Sequence, residues 1–307
     1  MHSKSFKLSC GDRQKIHVNS WVADHKPRAI LLIAHGMAEH SARYQEFGRF
    51  LSQNQITVYA HDYRGHGKTA EDQKYLGFCS NQKGWQFMLE DIGYLNKYIN
   101  QKHPGLPVFI LGHSMGSLLV INFAYLGGKQ IDGLILTGVA SYQPVFTIAG
   151  LLIAAIQCRI KGKEARSYIL HNMLFGGYNK HFSPARTDFD WLCTDQEVVD
   201  RYISDPYCGS VLTAGFFYNL ARATLNINKT RNLDRIPKNL PVLMLAGQYD
   251  AVGNMARGVK KFYKTFQKLA IQDLNLKIYP DCRHELLNEK IKDSIYEDIL
   301  TWVEGHL

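Results

Sequence analysis

A serine between two glycines is the first feature of the sequence that could do chemistry. Residues 112–116 read Gly-His-Ser-Met-Gly and directly follow the apolar run at 108–111. Gly-x-Ser-x-Gly arises by chance about 0.1 times in a chain of this composition. The apolar run predicts a buried strand, and residues 115–126 predict a helix. A strand–turn–helix junction exposes a nucleophilic hydroxyl, which makes Ser114 a candidate catalytic residue rather than a small residue in an ordinary turn.

A nucleophilic serine needs a base and an acid that orients the base, and on such a junction they follow in the order serine, acid, histidine. Asp250 follows the apolar run at 242–246, and His284 follows the run at 274–279. Both are predicted at the carboxyl ends of strands, where sites form in open α/β sheets. Asp281 is the competing acid, but it is expected in the same loop as His284. The sequence therefore favours Asp250 as the acid and His284 as the base.

The negative oxygen that forms during acyl transfer needs two backbone N–H donors. One is expected from the residue after the serine, which is Met115. The other is expected from a turn after an early strand, where the sequence reads Ala34-His35-Gly36-Met37. Met37 is the candidate for this donor, and the side chain of His35 is predicted to fix the turn by hydrogen bonds.

The elements that must position these residues alternate between strand and helix. An opening antiparallel hairpin is predicted from residues 6–9 and 15–22. Continuous apolar runs, typical of strands buried on both faces, follow at 29–34, 56–60, 108–111, 134–136, 242–246 and 274–279. Helices are predicted at 44–51, 84–99, 115–126, 253–269 and 289–307. This order predicts an α/β fold with a mostly parallel, doubly wound sheet.

Residues 141–225 interrupt the alternation, because they hold apolar and aromatic segments of helical character without a strong strand run. We expect a helical lid here, inserted into a core formed by residues 1–140 and 226–307. The lid begins with an apolar run that contains Phe146, Leu151, Leu152, Ile153 and Ile156. This run could dock on a bilayer and line an acyl tunnel, or it could pack on the core, and the sequence leaves both open.

Three motifs are set aside as chemically incomplete. Residues 65–70 match the loose dinucleotide pattern, but a helical pattern lies where its second strand and acid should stand. Residues 284–288 resemble the zinc helix His-Glu-x-x-His, but they end in asparagine. The pairs His35/His40 and His61/His66 lack a nearby third ligand at metal-site spacing. No metal and no cofactor are therefore expected.

The composition of the chain limits which kinds of partner and which cellular location are expected. The chain has 307 residues, 46% of them apolar, and a net charge of +9, which suits a mildly basic protein or one drawn to an anionic surface. No Lys/Arg block longer than two residues and no nucleic-acid motif occurs, which argues against nucleic acid. The six cysteines form no Cys-x-x-Cys pair, and no apolar signal core follows the first residues. We expect a cytoplasmic protein, with peripheral membrane contact left open.

Four segments together resemble the monoacylglycerol lipases. Residues 35–44 are similar to the family pattern His-Gly-x-x-Glu-His-Ser-x-Arg-Tyr, and residues 61–67 resemble the loop that follows it in that family. Residues 104–116 resemble the family's serine elbow, and Ser204-Asp205-Pro206 resembles a lid motif. The resemblance runs from about residue 28 to the end of the chain, and bacterial lysophospholipases share it.

The resemblance implies an α/β-hydrolase fold with a helical lid, no cofactor, and hydrolysis of lipids that carry one acyl chain. It places the catalytic triad on Ser114, Asp250 and His284, and the two N–H donors on Met37 and Met115. It also places polar headgroup contacts at Glu39, Arg43 and Tyr202. Leu287 stands where mammalian members carry a second histidine on the headgroup side.

We therefore predict a serine hydrolase that cleaves monoacylglycerol through an acyl-enzyme on Ser114. A lysophospholipase, a general carboxylesterase or a peptidase would use the same three residues. A lipid-binding protein without catalysis is the non-enzymatic alternative, and it is disfavoured because every triad and donor position is filled. The headgroup, the acyl-chain length and the oligomeric state stay open at this point.

Overall fold

An eight-stranded sheet forms the frame of the protein, in a computed structural model that describes residues 2–81, 83–127 and 131–307. The first two strands and their neighbour are antiparallel, and the remaining pairs are parallel. In spatial order the strands are β1 (His2–Ser9), β2 (Lys15–Val22), β4 (Ile56–His61), β3 (Ala29–Ala34), β5 (Val108–His113), β6 (Gly133–Thr137), β7 (Val242–Gly247) and β8 (Leu274–Tyr279). The predicted mostly parallel sheet and its opening hairpin are confirmed.

The continuous apolar runs are explained by burial on both faces of the sheet. Every residue of β3, β4, β5, β6 and β7 is buried. Side chains alternate between the faces, so Ile30 and Leu32 enter one buried cluster while Leu31 and Ile33 enter the other. A strand with two buried faces has no polar positions to alternate with, which is why these runs read as continuous.

Helices cover both faces. In the described part of the chain, the α-helices outside the segment that links β6 to β7 are α1 (Gln45–Gln53), α2 (Gly84–Lys102), α3 (Met115–Gly127), α9 (Arg257–Lys268) and α10 (Lys292–Glu304). Buried side chains of α2, α3 and α9 pack against one face of the sheet, and those of α1 and α10 against the other. This two-sided packing is the α/β-hydrolase arrangement that the resemblance implied.

Two predicted helices begin later than expected. The structure starts α9 at Arg257 rather than at residue 253, because Asn254, Met255 and Ala256 all have positive φ angles, between 52° and 60°. Helical φ angles are negative, so the chain cannot join these residues to the helix. The last helix starts at Lys292 rather than at 289, after a short 3₁₀ turn at Leu286–Asn288.

Five helices occupy the link between β6 and β7. They are α4 (Pro144–Ile160), α5 (Tyr168–Phe175), α6 (Gln196–Ser204), α7 (Ala214–Ile227) and α8 (Thr230–Leu233). Helix α7 packs on α2 and α3, and α4 packs on α7, so α4 lies farther from the sheet. Within the described part of the chain, every helix is too short or too polar to cross a bilayer. The division into a core and a lid at residues 141 and 225 stays a prediction.

Candidate active site

Ser114 lies at the sharp turn between β5 and α3. Its φ angle is +53°, a strained value for a residue with a side chain. The turn needs the two glycines beside it. A Cβ on Gly116 would lie 2.0 Å from the carbonyl oxygen of Ala34, and one on Gly112 would lie 2.5 Å from the carbonyl oxygen of Gly116. The tight approach of α3 to β3 at Gly116 and to β5 at Gly112 explains the Gly-x-Ser-x-Gly spacing.

The structure pairs His284 with Asp250. The two residues come from the loops after β8 and β7, and His284 Nδ1 lies 2.9 Å from Asp250 Oδ1. The same carboxylate oxygen accepts backbone N–H bonds from Val252 at 2.9 Å and Gly253 at 3.1 Å, which fix its position. Asp281, the competing acid, has an exposed side chain. The pair that the sequence favoured is thus the pair that the fold brings together.

Burial and charge set the protonation of this pair. Burial acts to lower the pKa of His284, but the Asp250 carboxylate and its hydrogen bond outweigh burial and raise that pKa above its ordinary value. Burial acts to raise the pKa of Asp250, and the His284 charge with the hydrogen bonds lowers it below its ordinary value. Both shifts favour a charged carboxylate that holds the imidazole by Nδ1, so Nε2 is the nitrogen left for a substrate reaction.

Ser114 and His284 line one pocket of about 400 Å³. Among the described residues the Ser114 hydroxyl has no hydrogen bond to His284, a loose geometry that is common before a substrate binds. The walls away from these two residues are mainly apolar and come largely from the β6–β7 segment. They include Phe146, Leu170, Met173, Leu174, Phe175, Trp191, Phe217 and Leu220. The volume and lining suit a ligand with a substantial apolar part.

Met37 and Met115 line the same pocket. Their backbone N–H groups donate no hydrogen bond to another group in the described ranges. A hydrogen bond stabilises the turn that carries Met37, because Gly36 N–H donates to Glu39 Oε1 at 2.5 Å. His35 fixes the same turn, since its ring bonds the Gly36 carbonyl at 2.7 Å and accepts the Tyr63 N–H at 3.1 Å. Two donors without a hydrogen-bond partner in the described ranges therefore line the pocket that Ser114 also lines.

The three headgroup candidates form one buried cluster with a residue that the sequence did not suggest. Arg43 donates to Glu39 at 2.6 Å and makes a bidentate pair with Glu285 at 2.6 and 2.7 Å. Its guanidinium lies 4.9 Å from the centre of the Tyr202 ring. The Tyr202 hydroxyl donates to the carbonyl of Ala38 at 3.0 Å. The pocket is lined by Glu39, Tyr202 and Glu285. Arg43 contacts all three but is not itself among the lining residues.

Comparison with known proteins identifies the family. The family model described as serine aminopeptidase, S33 matches residues 25–291. The chain belongs to this family. It is 28% identical over 294 residues to the monoacylglycerol lipase of Mycolicibacterium smegmatis, covering 95% of this chain and 94% of that one. It is 27% identical to human monoglyceride lipase over 95% of this chain and 88% of that one.

A solved structure agrees with the sequence relatives. The chain superposes on a highly thermostable carboxyl esterase from Bacillus coagulans in complex with glycerol, with a TM-score of 0.91 and 26% identity. The match covers 100% of this chain and 99% of that one. Together with the monoacylglycerol lipase relatives, it supports an ester-hydrolysing enzyme of the α/β-hydrolase superfamily.

Glu285 could have been found from sequence only as the neighbour of His284. Glu285 belongs to the incomplete zinc pattern at 284–288, and in the fold two residues of that pattern, Glu285 and Asn288, form a hydrogen bond with each other. Asn288 Nδ2 donates to Glu285 Oε2 at 3.0 Å, so the two residues position each other beside the histidine. Leu287 is buried among core side chains, and its carbonyl oxygen accepts a hydrogen bond from the Tyr296 hydroxyl at 2.8 Å. It belongs to the core and is not among the described residues that line the pocket.

Two aromatic side chains contact His284 and carried no sequence signal. The ring of His113 lies 4.8 Å from it, centre to centre, and that of Trp191 lies 5.4 Å from it. Burial, assisted by the charge of His284, lowers the pKa of His113 to about 3, so this neighbour stays neutral. A neutral His113 adds no fixed positive charge beside the candidate base.

Proposed function

We propose that this protein is a serine hydrolase that cleaves the ester bond of lipids with a single acyl chain, of which monoacylglycerol is the favoured substrate. The observation that carries the proposal is the buried His284–Asp250 pair, with 2.9 Å between Nδ1 and Oδ1, in the pocket that Ser114 also lines. An imidazole held by a carboxylate beside a strained serine is the arrangement that acyl transfer requires.

In the proposed first step His284 Nε2 takes the proton from Ser114 Oγ while Oγ bonds to the ester carbonyl carbon. The carbonyl oxygen becomes an oxyanion, and the N–H groups of Met37 and Met115 donate to it. Each such donor contributes about 3 kcal/mol to transition-state stabilisation. Asp250 keeps the imidazole in the tautomer that leaves Nε2 free and stabilises the imidazolium.

The oxyanion then collapses, and His284 returns the proton to the departing alcohol oxygen. This leaves the acyl group esterified to Ser114. A water molecule then gives a proton to His284 and attacks the acyl carbon. The carbonyl oxygen again becomes an oxyanion, to which the N–H groups of Met37 and Met115 donate. As the Ser114 ester bond breaks, His284 returns the proton to Ser114 Oγ, which releases the fatty acid and restores the serine and the neutral base.

The proposed substrate class rests on the pocket walls. A ring of apolar side chains from the β6–β7 segment would hold an acyl chain, and the volume of about 400 Å³ has room for one such chain. Glu39 and Tyr202 line the pocket near the candidate donors, and we propose that they contact the polar headgroup. Arg43 positions both, because it pairs with Glu39 and stacks on Tyr202.

We also propose peripheral contact with a membrane through the outer face of α4, formed by Val145, Ile148, Leu152, Ile156 and Ile160. These five residues are spaced by three or four positions and are between 47% and 82% exposed. An exposed apolar stripe of this length on a helix suits insertion into a lipid surface. Ile153 and Ala154 of the same helix are turned inward and pack on the core cluster.

Labelling and a substrate panel test the proposal. A fluorophosphonate should label the wild type and should not label Ser114→Ala. The panel compares monoacylglycerol, lysophospholipid, short aryl ester and aminoacyl amide, the last because the family is described as an aminopeptidase. We expect the highest kcat/KM on monoacylglycerol. Folded wild type that takes no label would refute a serine hydrolase, and a preference for another substrate would refute only the substrate class.

A further inference from the structure

Three side chains with metal-binding atoms meet beside the pocket. His40 follows β3, whereas Asp205 and Cys208 lie in the turn after α6. One ligand atom from each residue lies within 4.8 Å of the other two. His40 Nε2 and Asp205 Oδ2 are already 2.8 Å apart, although the residues are 165 positions apart in the sequence. This separation explains why the histidine pairs in the sequence showed no third ligand.

The donor set is one that Zn²⁺ accepts: an imidazole nitrogen, a carboxylate oxygen and a sulfur. Tetrahedral zinc with bonds of about 2.0–2.3 Å places its ligand atoms about 3.3–3.8 Å apart. The three side chains would reach that spacing by shifts of about 1 Å. The His40 and Asp205 side chains are 12% and 27% exposed, and Cys208 is also partly exposed, so an ion can enter and keep a water as its fourth ligand.

Local contacts hold the donors in place. The Tyr207 N–H donates to Asp205 Oδ1 at 2.9 Å, and the Cys208 N–H donates to the Asp205 carbonyl at 3.0 Å. The Tyr207 ring lies edge-on to the His40 ring, 5.9 Å away. The turn that carries two of the ligands is therefore already folded against the third, which reduces the ordering that metal binding requires.

We propose that His40, Asp205 and Cys208 form a binding site for a divalent transition metal, with Zn²⁺ as the preferred ion. The ion would fasten the turn after α6 to the turn after β3. These turns already touch, because the Gly209 N–H donates to the carbonyl of Ala38 at 2.9 Å. The proposal concerns a site outside the Ser114 pocket and does not depend on the hydrolase reaction.

Co²⁺ provides a spectroscopic test with the full chain, because a cobalt–thiolate bond absorbs in the near ultraviolet. We expect the wild type to bind one equivalent of Co²⁺ with this absorption, and Zn²⁺ to abolish it by displacement. Cys208→Ser should lose the band. Cys158→Ser, which changes another partly exposed free cysteine, should keep it.

His40→Gln should keep the cobalt–thiolate band but bind at least tenfold more weakly, because loss of a ligand costs at least as much as loss of a group that merely supports one. Wild type with no band, or a band of full strength in Cys208→Ser, would overturn the proposal. Thermal unfolding of each variant without metal establishes that it is folded, and Zn²⁺ should raise the Tm of wild type and Cys158→Ser but not that of Cys208→Ser.

Discussion

Arg43 and Glu285 form a bidentate ion pair that links the segment between β3 and β4 to the residue after His284. Nη1 lies 2.6 Å from Oε1 and Nη2 lies 2.7 Å from Oε2, and the two side chains are only 10% and 4% exposed. The pair therefore links the turn that carries Met37 to the loop that carries the candidate base. Its loss should affect stability and the geometry of the pocket together.

Glu285→Ala should lower the free energy of unfolding by about 3–5 kcal/mol, because it leaves a buried guanidinium with one carboxylate partner fewer. Urea denaturation measures this change. Lys7→Ala breaks an exposed pair with Glu71 at 3.3 Å and serves as the control. It should cost less than about 1 kcal/mol. Equal losses in the two variants would contradict the importance given to the buried pair.

Gly116→Ala should destabilise the serine turn. The added methyl group would meet the Ala34 carbonyl oxygen at 2.0 Å, and a backbone atom cannot rotate away as a side chain can. Overpacking of this kind costs about 1–3 kcal/mol or more.

Gly127→Ala, in the same helix, is the control, because a Cβ there would have no atom within 4 Å among the described residues, apart from its chain neighbours and the nearby backbone of the helix. It should be neutral or slightly stabilising, as alanine favours a helix more than glycine does. Thermal unfolding compares the two variants, and a Gly116→Ala variant as stable as Gly127→Ala would argue against the close approach of α3 to β3.

Asp250→Asn should reduce kcat by about 10⁴-fold, because an amide in this position no longer holds the imidazole in the tautomer that leaves Nε2 free. Asp281→Asn is the matched control, since it changes the same residue type in the loop of His284 at an exposed position. It should leave kcat unchanged. Steady-state hydrolysis of a monoacylglycerol measures both, and a larger loss in Asp281→Asn would reverse the assignment of the acid.

The acid limb of kcat/KM should have its midpoint above 6.5, the ordinary pKa of histidine. His284 must be neutral to accept the serine proton, and the Asp250 carboxylate raises the pKa of His284, so the base becomes available only at higher pH. In Asp250→Asn the carboxylate is gone while burial remains, and the limb should move to lower pH. A pH–rate profile of both proteins measures this shift, and an unmoved limb would exclude His284 as the titrating base.

The pKa shifts of His284 and Asp250 also determine whether the stability of the fold rises or falls with pH. The raised pKa of His284 stabilises the fold at low pH, and this contribution is lost as pH rises through the folded-state value. The lowered pKa of Asp250 stabilises the fold above the unfolded-state value, and this contribution is lost as pH falls. Unfolding measured across pH in wild type and Asp250→Asn separates the carboxylate contribution, which should vanish in the variant.

Leu152→Asp should weaken binding to lipid vesicles at least tenfold. Insertion of a leucine side chain contributes about 1.5–3 kcal/mol, and about 1.4 kcal/mol is a factor of ten. Leu126→Asp is the matched control, because Leu126 is exposed to a similar extent, 56% against 60%, but lies on α3. Sedimentation with phosphatidylcholine–phosphatidylserine vesicles measures both. Equal binding by the two variants would exclude the outer face of α4 as the docking surface.

The sequence by itself determined the frame of the protein and pointed to three residues of its candidate site. Buried parallel strands read as continuous apolar runs, and their carboxyl ends share one edge of the sheet. The order of Ser114, Asp250 and His284 along those ends was therefore enough to predict that Asp250 and His284 meet, and the fold places their atoms 2.9 Å apart. Local sequence patterns suffice for such features because a continuous apolar run and the glycines of a tight turn can be recognised within a few neighbouring positions.

Only the tertiary structure decided what surrounds those residues. The Arg43–Glu285 pair joins positions 242 apart, and the His40–Asp205 contact joins positions 165 apart, so neither follows a helical or strand period. The apolar run of α4 is equally compatible in sequence with docking on a membrane and with packing on the core. Which side chains of α4 are exposed depends on how α4 packs on α7, and this contact between two helices cannot be read from the run itself. Side-chain partners of this kind are set by how distant segments pack, and no periodicity in the chain encodes them.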